Sequence, residues 1–215
     1  MPATLRHNDS IITLDEHGLA RAARLLARRD PDLAFILKSY GPPPLWARTP
    51  NFSTLVQIIL EQQVSLASAA SIYKRMRRHI APFNPTRILE LGDAHLKSLG
   101  LTRQKTAYCL HLSQCITDKT LSLSQLKRMS DDDVRATLMN VKGLGLWSAD
   151  VFLLMGLLRP DVWPASDLAL AVALKNLKKL DKRPTPGELM AFADRWRPFR
   201  SVAARMLWQY YLSNR

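Results

Sequence analysis

The chain is 215 residues long and 47% hydrophobic, which is enough for a folded globule and excludes a disordered chain. No apolar run reaches the roughly 18 residues of a membrane helix, so no membrane-spanning segment is expected. Lys and Arg number 31 against 18 Asp and Glu, and the net charge of +13 predicts a polyanionic partner, usually nucleic acid, unless the charge serves solubility alone.

Helical signals fill the first 80 residues. The segment TLDE at 13–16 has the form of a capping box, and Asp30-Pro31 predicts the start of a helix that GPPP at 41–44 closes. Apolar and small residues then recur at helical spacing in FSTLVQIILEQQVS (52–65) and LASAASIYKRMRRHI (66–80).

The same pattern continues to the C-terminus. Asn84-Pro85, Asp93 and a second capping box, TPGE at 185–188, each predict a helix start. No segment alternates polar and apolar residues, so no substantial sheet is expected, and the prediction is an all-α fold of about a dozen short helices. The remaining helices are predicted in 102–119, 122–129, 130–140, 146–158, 167–180 and 199–214.

The stretch VKGLGLW (141–147) sets two glycines two residues apart before a helix. A dinucleotide-binding GxGxxG motif is excluded, because position 148 is Ser and the preceding segment is helical rather than a strand. A plain turn between helices explains one glycine but not two. A helix–hairpin–helix, with helices at 131–139 and 146–157, explains both, because backbone N–H groups at a helix start can bind a DNA phosphate.

Four blocks of sequence, in the same order, resemble a known family. They are ILEQQVSLASAA (59–70), LGLTRQKTAYCLHLS (99–113), VKGLGLWSADVFLL (141–154) followed by Asp167, and WRPFRSVAARMLW (196–208). Over about residues 50 to 210 the chain resembles the helix–hairpin–helix DNA glycosylases, and within them the 3-methyladenine DNA glycosylase II, or alkylpurine, branch.

The resemblance implies one unit over 1–215, made of two all-helical lobes with a DNA-binding cleft between them. One lobe would be 50–160, including the hairpin 131–157, and the other 1–49 with 161–215. The compact form without an extra β-domain, acting as a monomer, is expected. No cysteine follows Cys115, so the iron–sulfur cluster of some relatives should be absent. A catalytic metal is not expected either. A structural Na⁺ or K⁺ at hairpin carbonyls near Lys142 and Gly145 is also implied.

The resemblance identifies Asp167 as the catalytic carboxylate. A carboxylate near the sugar would stabilise the positive charge that develops when a base is removed, and the start of a helix favours its ionised form. The alternative is an ordinary helix N-cap. Relatives with lyase activity carry a lysine where this chain has Trp147, so hydrolysis without strand cleavage is expected. Asp150, inside the second hairpin helix, is expected to be a structural ion-pair partner.

The resemblance implies that Trp147 and Trp208 lie in the base pocket, where an indole can stack on the positive charge of an N3- or N7-alkylated purine. Core packing is the alternative for both tryptophans. Val151 and Gln209 stand where one relative has tyrosines and are assigned to the same pocket. The resemblance also implies that Gln63 is the wedge that fills the gap left by the extruded nucleotide, with Gln62 supporting it, unless the two simply end a helix near solvent.

DNA phosphates are expected at two helix starts. The first is the hairpin, through Lys142 and the N–H groups of Gly143, Gly145 and Trp147. The second, less specific site is the start of the helix after LGL, with Thr102, Arg103 and Lys105. The resemblance implies that the polyanionic partner is double-stranded DNA containing damaged bases.

The resulting hypothesis is a monofunctional DNA glycosylase that flips out and excises alkylated purines such as 3-methyladenine and 7-methylguanine in base-excision repair. The alternatives are the same fold acting on hypoxanthine, ethenoadenine or oxidised guanine, and a non-catalytic module that binds damaged DNA. A helix–turn–helix regulator is disfavoured, since nothing indicates a dimer interface. Two cysteines six residues apart and no signal sequence predict a reducing compartment, which would be the cytoplasm or nucleoid of a bacterium or the nucleus of a eukaryote.

Overall fold

The computed structural model describes residues 12–214, and this part of the chain contains twelve α-helices and no strand, as the predicted all-α fold requires. Residues 1–11 of the predicted second lobe lie outside the described residues. In chain order the helices are α1 (Glu16–Ala27), α2 (Pro31–Tyr40), α3 (Phe52–Glu61), α4 (Leu66–His79), α5 (Pro85–Ser98), α6 (Arg103–Thr117), α7 (Leu123–Leu126), α8 (Asp131–Met139), α9 (Leu146–Val151), α10 (Leu168–Lys178), α11 (Pro186–Ala193) and α12 (Arg200–Ser213).

Side-chain caps begin most of these helices where the sequence predicted them. Asp30 accepts hydrogen bonds from backbone N–H groups at the start of α2, and Thr185 with Glu188 forms a complete capping box on α11. The capping box predicted at 13–16 is wrong. Asp15 rather than Thr13 caps α1, because Leu14 N–H bonds the Leu158 carbonyl at 2.8 Å and holds that segment outside the helix.

The helices pack in two groups. Helices α1, α2, α10 and α12 pack on one another, with α11 attached through a short 3₁₀ turn at Asp194–Trp196. Helix α3 packs on α4, α6 and α9, while α5 packs on α6 and α8 on α9. The segments 41–51 and 157–167 connect the two groups, so each group forms one wall of the space between them.

Helix α9 continues directly into a π-helical turn, Phe152–Gly156, at the centre of the molecule. Arg205 of α12 is fully buried against this turn, and its guanidinium donates to the carbonyls of Leu154 at 2.7 Å, Leu45 at 2.8 Å and Ser201 at 3.0 Å. Burial lowers the pKa of Arg205 to about 10, so the group remains charged at neutral pH. One side chain therefore joins both helical groups and the segment that connects α2 to α3.

Candidate functional site

A cleft of about 1370 Å³ lies between the two groups of helices. Its walls come from the segment around Trp46, the loop after α3, the hairpin between α8 and α9, the turn at Asp167, and α12. Such a cleft between lobes is where a ligand site is expected. Asp167 lies in this cleft although its side chain is almost entirely buried, with 8% exposure.

Three N–H donors hold the Asp167 carboxylate. Oδ1 accepts from the Leu170 backbone at 3.0 Å and from the Trp208 indole at 3.0 Å, while Oδ2 accepts from the Trp147 indole at 2.8 Å. All three partners are N–H donors, so both carboxylate oxygens act as hydrogen-bond acceptors. Asp167 is thus an N-cap of α10 and also a carboxylate directed by two indoles within the cleft.

Trp147 and Trp208 line the cleft as predicted, but each also has a role that sequence reasoning missed. Their indole N–H groups approach Asp167 from α9 and α12, one from each helical group. The two tryptophans therefore fix the orientation of the carboxylate, and base stacking by their rings remains a prediction.

Val151 also lines the cleft, whereas the prediction that Gln209 belongs to the base pocket is wrong. The Gln209 amide donates to the Tyr40 carbonyl at 3.0 Å and so ties α12 to α2, away from the residues that line the cleft. Gln209 follows Trp208 on the same helix, and one residue turns the side chain by about 100°, which directs it to the neighbouring helix instead.

The loop after α3 carries the two glutamines predicted to act in base extrusion. Gln62 reaches the hairpin, where its amide donates to the Gly143 carbonyl at 2.8 Å and to Ser148 Oγ at 3.0 Å. Gln63 is exposed, with a left-handed backbone at φ +56°. The supporting position of Gln62 and the exposed position of Gln63 suit the predicted roles, which remain predictions.

Lys105 is not available to a phosphate, contrary to the prediction. Its side chain is buried, and Nζ donates to the Leu60 carbonyl at 2.6 Å, in the last turn of α3. The negative end of the α3 dipole attracts the ammonium group, while burial lowers the pKa of Lys105. At the same helix start Thr102 Oγ1 accepts from the Lys105 backbone at 3.2 Å, which leaves Arg103 as the exposed cation.

The loop of the hairpin has the predicted limits, since α8 ends at Met139 and α9 begins at Leu146. The second helix, predicted to run to residue 157, is α-helical only to Val151 and continues as the π-helical turn Phe152–Gly156. Gly145 is the N-cap of α9 and has no side chain, so no side-chain group occupies the N–H donors at this helix start. Lys142 is exposed beside it. These features leave the helix start open to an anion, and phosphate binding there remains a prediction.

The predicted cation site depends on hairpin carbonyls that already have partners. Gly143 O accepts from Gln62, and Gly145 O accepts from the Ala149 backbone at 3.0 Å. A carbonyl has a second lone pair, so a Na⁺ or K⁺ remains a prediction. Among residues 12–214 no group of three or more His, Cys, Asp or Glu side chains is placed to hold a metal ion.

Gly143 and Gly145 make an informative pair for mutation. Gly143 has φ +93°, and a Cβ there would overlap the Tyr108 ring, whereas a Cβ at Gly145 would meet nothing within 4 Å. We expect Gly143→Ala to lower the free energy of unfolding by at least about 1–2 kcal/mol, from the left-handed backbone alone, and to weaken duplex binding.

The matched control is Gly145→Ala, which should cost at most about 1 kcal/mol, because its backbone is extended and the space is open. Urea unfolding of the two variants checks the difference. Equal losses would contradict the role of the Tyr108 contact.

Asp150 has the structural role that the sequence predicted. It is buried in α9 and accepts from Arg135 Nε at 2.8 Å. Burial raises the pKa of Asp150, and the hydrogen bond from Arg135 opposes that rise. This ion pair joins α8 to α9 and so stabilises the hairpin.

Comparison with known proteins relates this geometry to a family. Residues 56–198 match the profile of the HhH-GPD superfamily base excision DNA repair proteins. The chain is 29% identical to Bacillus subtilis YfjP over 185 residues, which are 82% of this chain but 64% of that protein. It is 31% identical to the DNA-3-methyladenine glycosylase of Saccharomyces cerevisiae over 199 residues, which are 85% of this chain and 67% of that enzyme.

A solved structure shows the same arrangement of helices. It is the Schizosaccharomyces pombe 3-methyladenine DNA glycosylase in complex with abasic DNA, with a TM-score of 0.79 and 23% identity over 87% of this chain and 95% of that one. At this identity the likeness concerns the fold. No helix within residues 12–214 is long and apolar enough to cross a membrane.

Proposed function

The chain belongs to the HhH-GPD superfamily of base excision DNA repair proteins, and from this membership and the cleft we propose that it is a DNA glycosylase that excises alkylated purines from duplex DNA. The observation that carries the proposal is the Asp167 carboxylate, directed by the indoles of Trp147 and Trp208 within the cleft. Relatives named as 3-methyladenine DNA glycosylases support the choice of substrate.

The chemistry follows from a carboxylate in a largely buried site. The bond between C1′ and the base nitrogen breaks with both electrons passing to the nitrogen, so a cationic alkylpurine leaves as a neutral base. The sugar becomes an oxocarbenium cation, which the negative charge of Asp167 stabilises. Water then bonds to C1′ and loses a proton, which the carboxylate can accept.

The proposed substrates also need no general acid. Alkylation at N3 or N7 places a positive charge on the purine, which weakens its bond to the sugar before any proton is transferred. The indole faces along the cleft can stabilise such a cation by about 0.5–2 kcal/mol each. Binding to duplex DNA draws on the net charge of +13, and we expect one copy of the chain to act alone.

We expect base release without strand cleavage. The indole of Trp147 cannot form a Schiff base with the sugar, and its N–H is already bonded to Asp167. Duplex DNA treated with the protein should remain intact until the abasic sites are cleaved with alkali, and borohydride should trap no covalent complex. A trapped complex would show that an amine of the protein attacks the sugar.

The function itself is tested by chromatography of the bases released from methylated duplex DNA. Release of 3-methyladenine and 7-methylguanine is the expected result. If neither base is released while the duplex is still bound, the proposal is contradicted, and DNA containing hypoxanthine, ethenoadenine or oxidised guanine would then distinguish another lesion from a non-catalytic binding module.

A further inference from the structure

Trp46 has a backbone conformation that is unusual for a large residue. Its φ is +47°, in the left-handed region where the Cβ of a non-glycine residue crowds the backbone. It lies in the segment GPPPLWARTP (41–50) that connects α2 to α3. A turn that only redirected the chain would favour glycine or asparagine here, so the presence of tryptophan needs another reason.

The surrounding structure fixes this conformation on both sides of Trp46. The Leu45 carbonyl accepts from the buried Arg205 at 2.8 Å, and the Arg48 N–H donates to the Met155 carbonyl at 2.9 Å. The Arg48 guanidinium also makes two hydrogen bonds of 2.9 Å to the Glu61 carboxylate. Because these hydrogen bonds on both sides maintain a strained backbone, we infer that the position of the Trp46 side chain has a function.

The Trp46 side chain is half-buried and lines the interlobe cleft. Its ring meets Trp208 edge to face, with 6.3 Å between centroids and 63° between planes. Trp208 in turn donates its indole N–H to Asp167. Trp46 therefore contacts Trp208, which in turn holds the Asp167 carboxylate. It adds an aromatic side chain to the cleft from the segment between α2 and α3, which is separate from the hairpin and from α10.

We propose that Trp46 is a specificity-determining residue that forms a third aromatic wall against the extruded purine. This inference rests on the proposed function. The residue packs against the buried core and against Trp208, yet part of its surface stays exposed in the cleft, and the backbone adopts a strained conformation to place it there. An electron-rich indole beside Trp208 favours a flat cationic base over a neutral one.

The test compares Trp46→Leu and Trp46→Phe with the wild type. We measure the single-turnover release of 7-methylguanine and the affinity for a duplex with a tetrahydrofuran abasic site, which has no base to contact. Trp46→Leu should lower the release rate at subsaturating protein by between about twofold and thirtyfold, the loss of one cation–π contact, and leave tetrahydrofuran binding unchanged. Trp46→Phe keeps a weaker aromatic face, so its release rate should lie between those of the wild type and Trp46→Leu.

Phe35→Leu is the matched control, since it removes an exposed aromatic ring that makes an edge contact with Tyr210 away from the cleft. Its release rate should equal that of the wild type. An active wild type with unchanged release by Trp46→Leu would overturn the inference and leave the proposed function standing. If Trp46→Leu lowered base release, tetrahydrofuran binding and thermal stability together, Trp46 would have a structural role, and the inference would again be overturned. A wild type that releases no alkylated purine would end both proposals.

Discussion

Asp167→Asn is expected to lower the rate of 3-methyladenine release by about 10²- to 10³-fold, because a neutral amide cannot stabilise the positive sugar of the transition state. The amide oxygen can still accept from Leu170 and Trp208, so the cap of α10 should remain. The amide nitrogen would face the Trp147 indole N–H, and because both groups are donors, the hydrogen bond from Trp147 would be lost. The measurement is single-turnover base release, with duplex affinity and thermal unfolding recorded for the same protein.

Asp30→Asn provides a closely matched control. Asp30 is also a buried N-cap, and its Oδ2 also accepts an indole N–H, from Trp196 at 2.9 Å, but it lies away from the residues that line the cleft. The same substitution there should reduce stability and leave the release rate of the folded protein unchanged. If Asp167→Asn released base as fast as Asp30→Asn, the carboxylate of Asp167 would be a helix cap and nothing more.

Arg205→Met should lower the free energy of unfolding by about 3–5 kcal/mol. The substitution keeps much of the side-chain length but leaves the carbonyls of Leu45, Leu154 and Ser201 without their donor in a buried site. Those carbonyls belong to the segment before α3, the π-helical turn and α12, so the loss affects both groups of helices. Urea unfolding, followed by tryptophan fluorescence, gives the value.

Arg195→Met is the control for the Arg205 substitution. Arg195 is exposed and lies over the Phe192 ring, 5.8 Å from its centroid, so its loss should cost no more than about 1 kcal/mol. A comparable loss in the two variants would mean that the three carbonyls find other donors or water, and that Arg205 does not join the two groups.

Local features of the structure could be predicted from the sequence because their causes lie within a few residues. The hairpin between α8 and α9, the caps at Asp30 and Thr185, and the all-α fold follow from glycine spacing, capping residues and helical periodicity. The family that the four blocks resembled was confirmed by the match over residues 56–198, which contains the first three blocks and Asp167. That resemblance predicted Asp167 as the catalytic carboxylate. Its N-cap position followed from its place before an apolar helix.

Errors arose where a side chain had a choice of partners. Lys105 was predicted to face phosphate because it begins a helix, but the carbonyl at the end of α3, 45 residues earlier, binds its ammonium group. Gln209 was assigned to the base pocket by alignment, but the Tyr40 carbonyl on another helix accepts from its amide. Neither partner is near in sequence, so no local pattern could reveal it.

By itself, then, the sequence determined the helices, most of their caps, the hairpin and the family, because short-range spacing and backbone chemistry decide these features. Only the tertiary structure decided that the indoles of Trp147 and Trp208 meet on Asp167, from 20 residues before it and 41 residues after it. It also decided that Arg205 and Arg48 hold the left-handed backbone at Trp46. These contacts join residues that are distant in the chain, and they exist only because the two groups of helices pack against each other in one fixed arrangement.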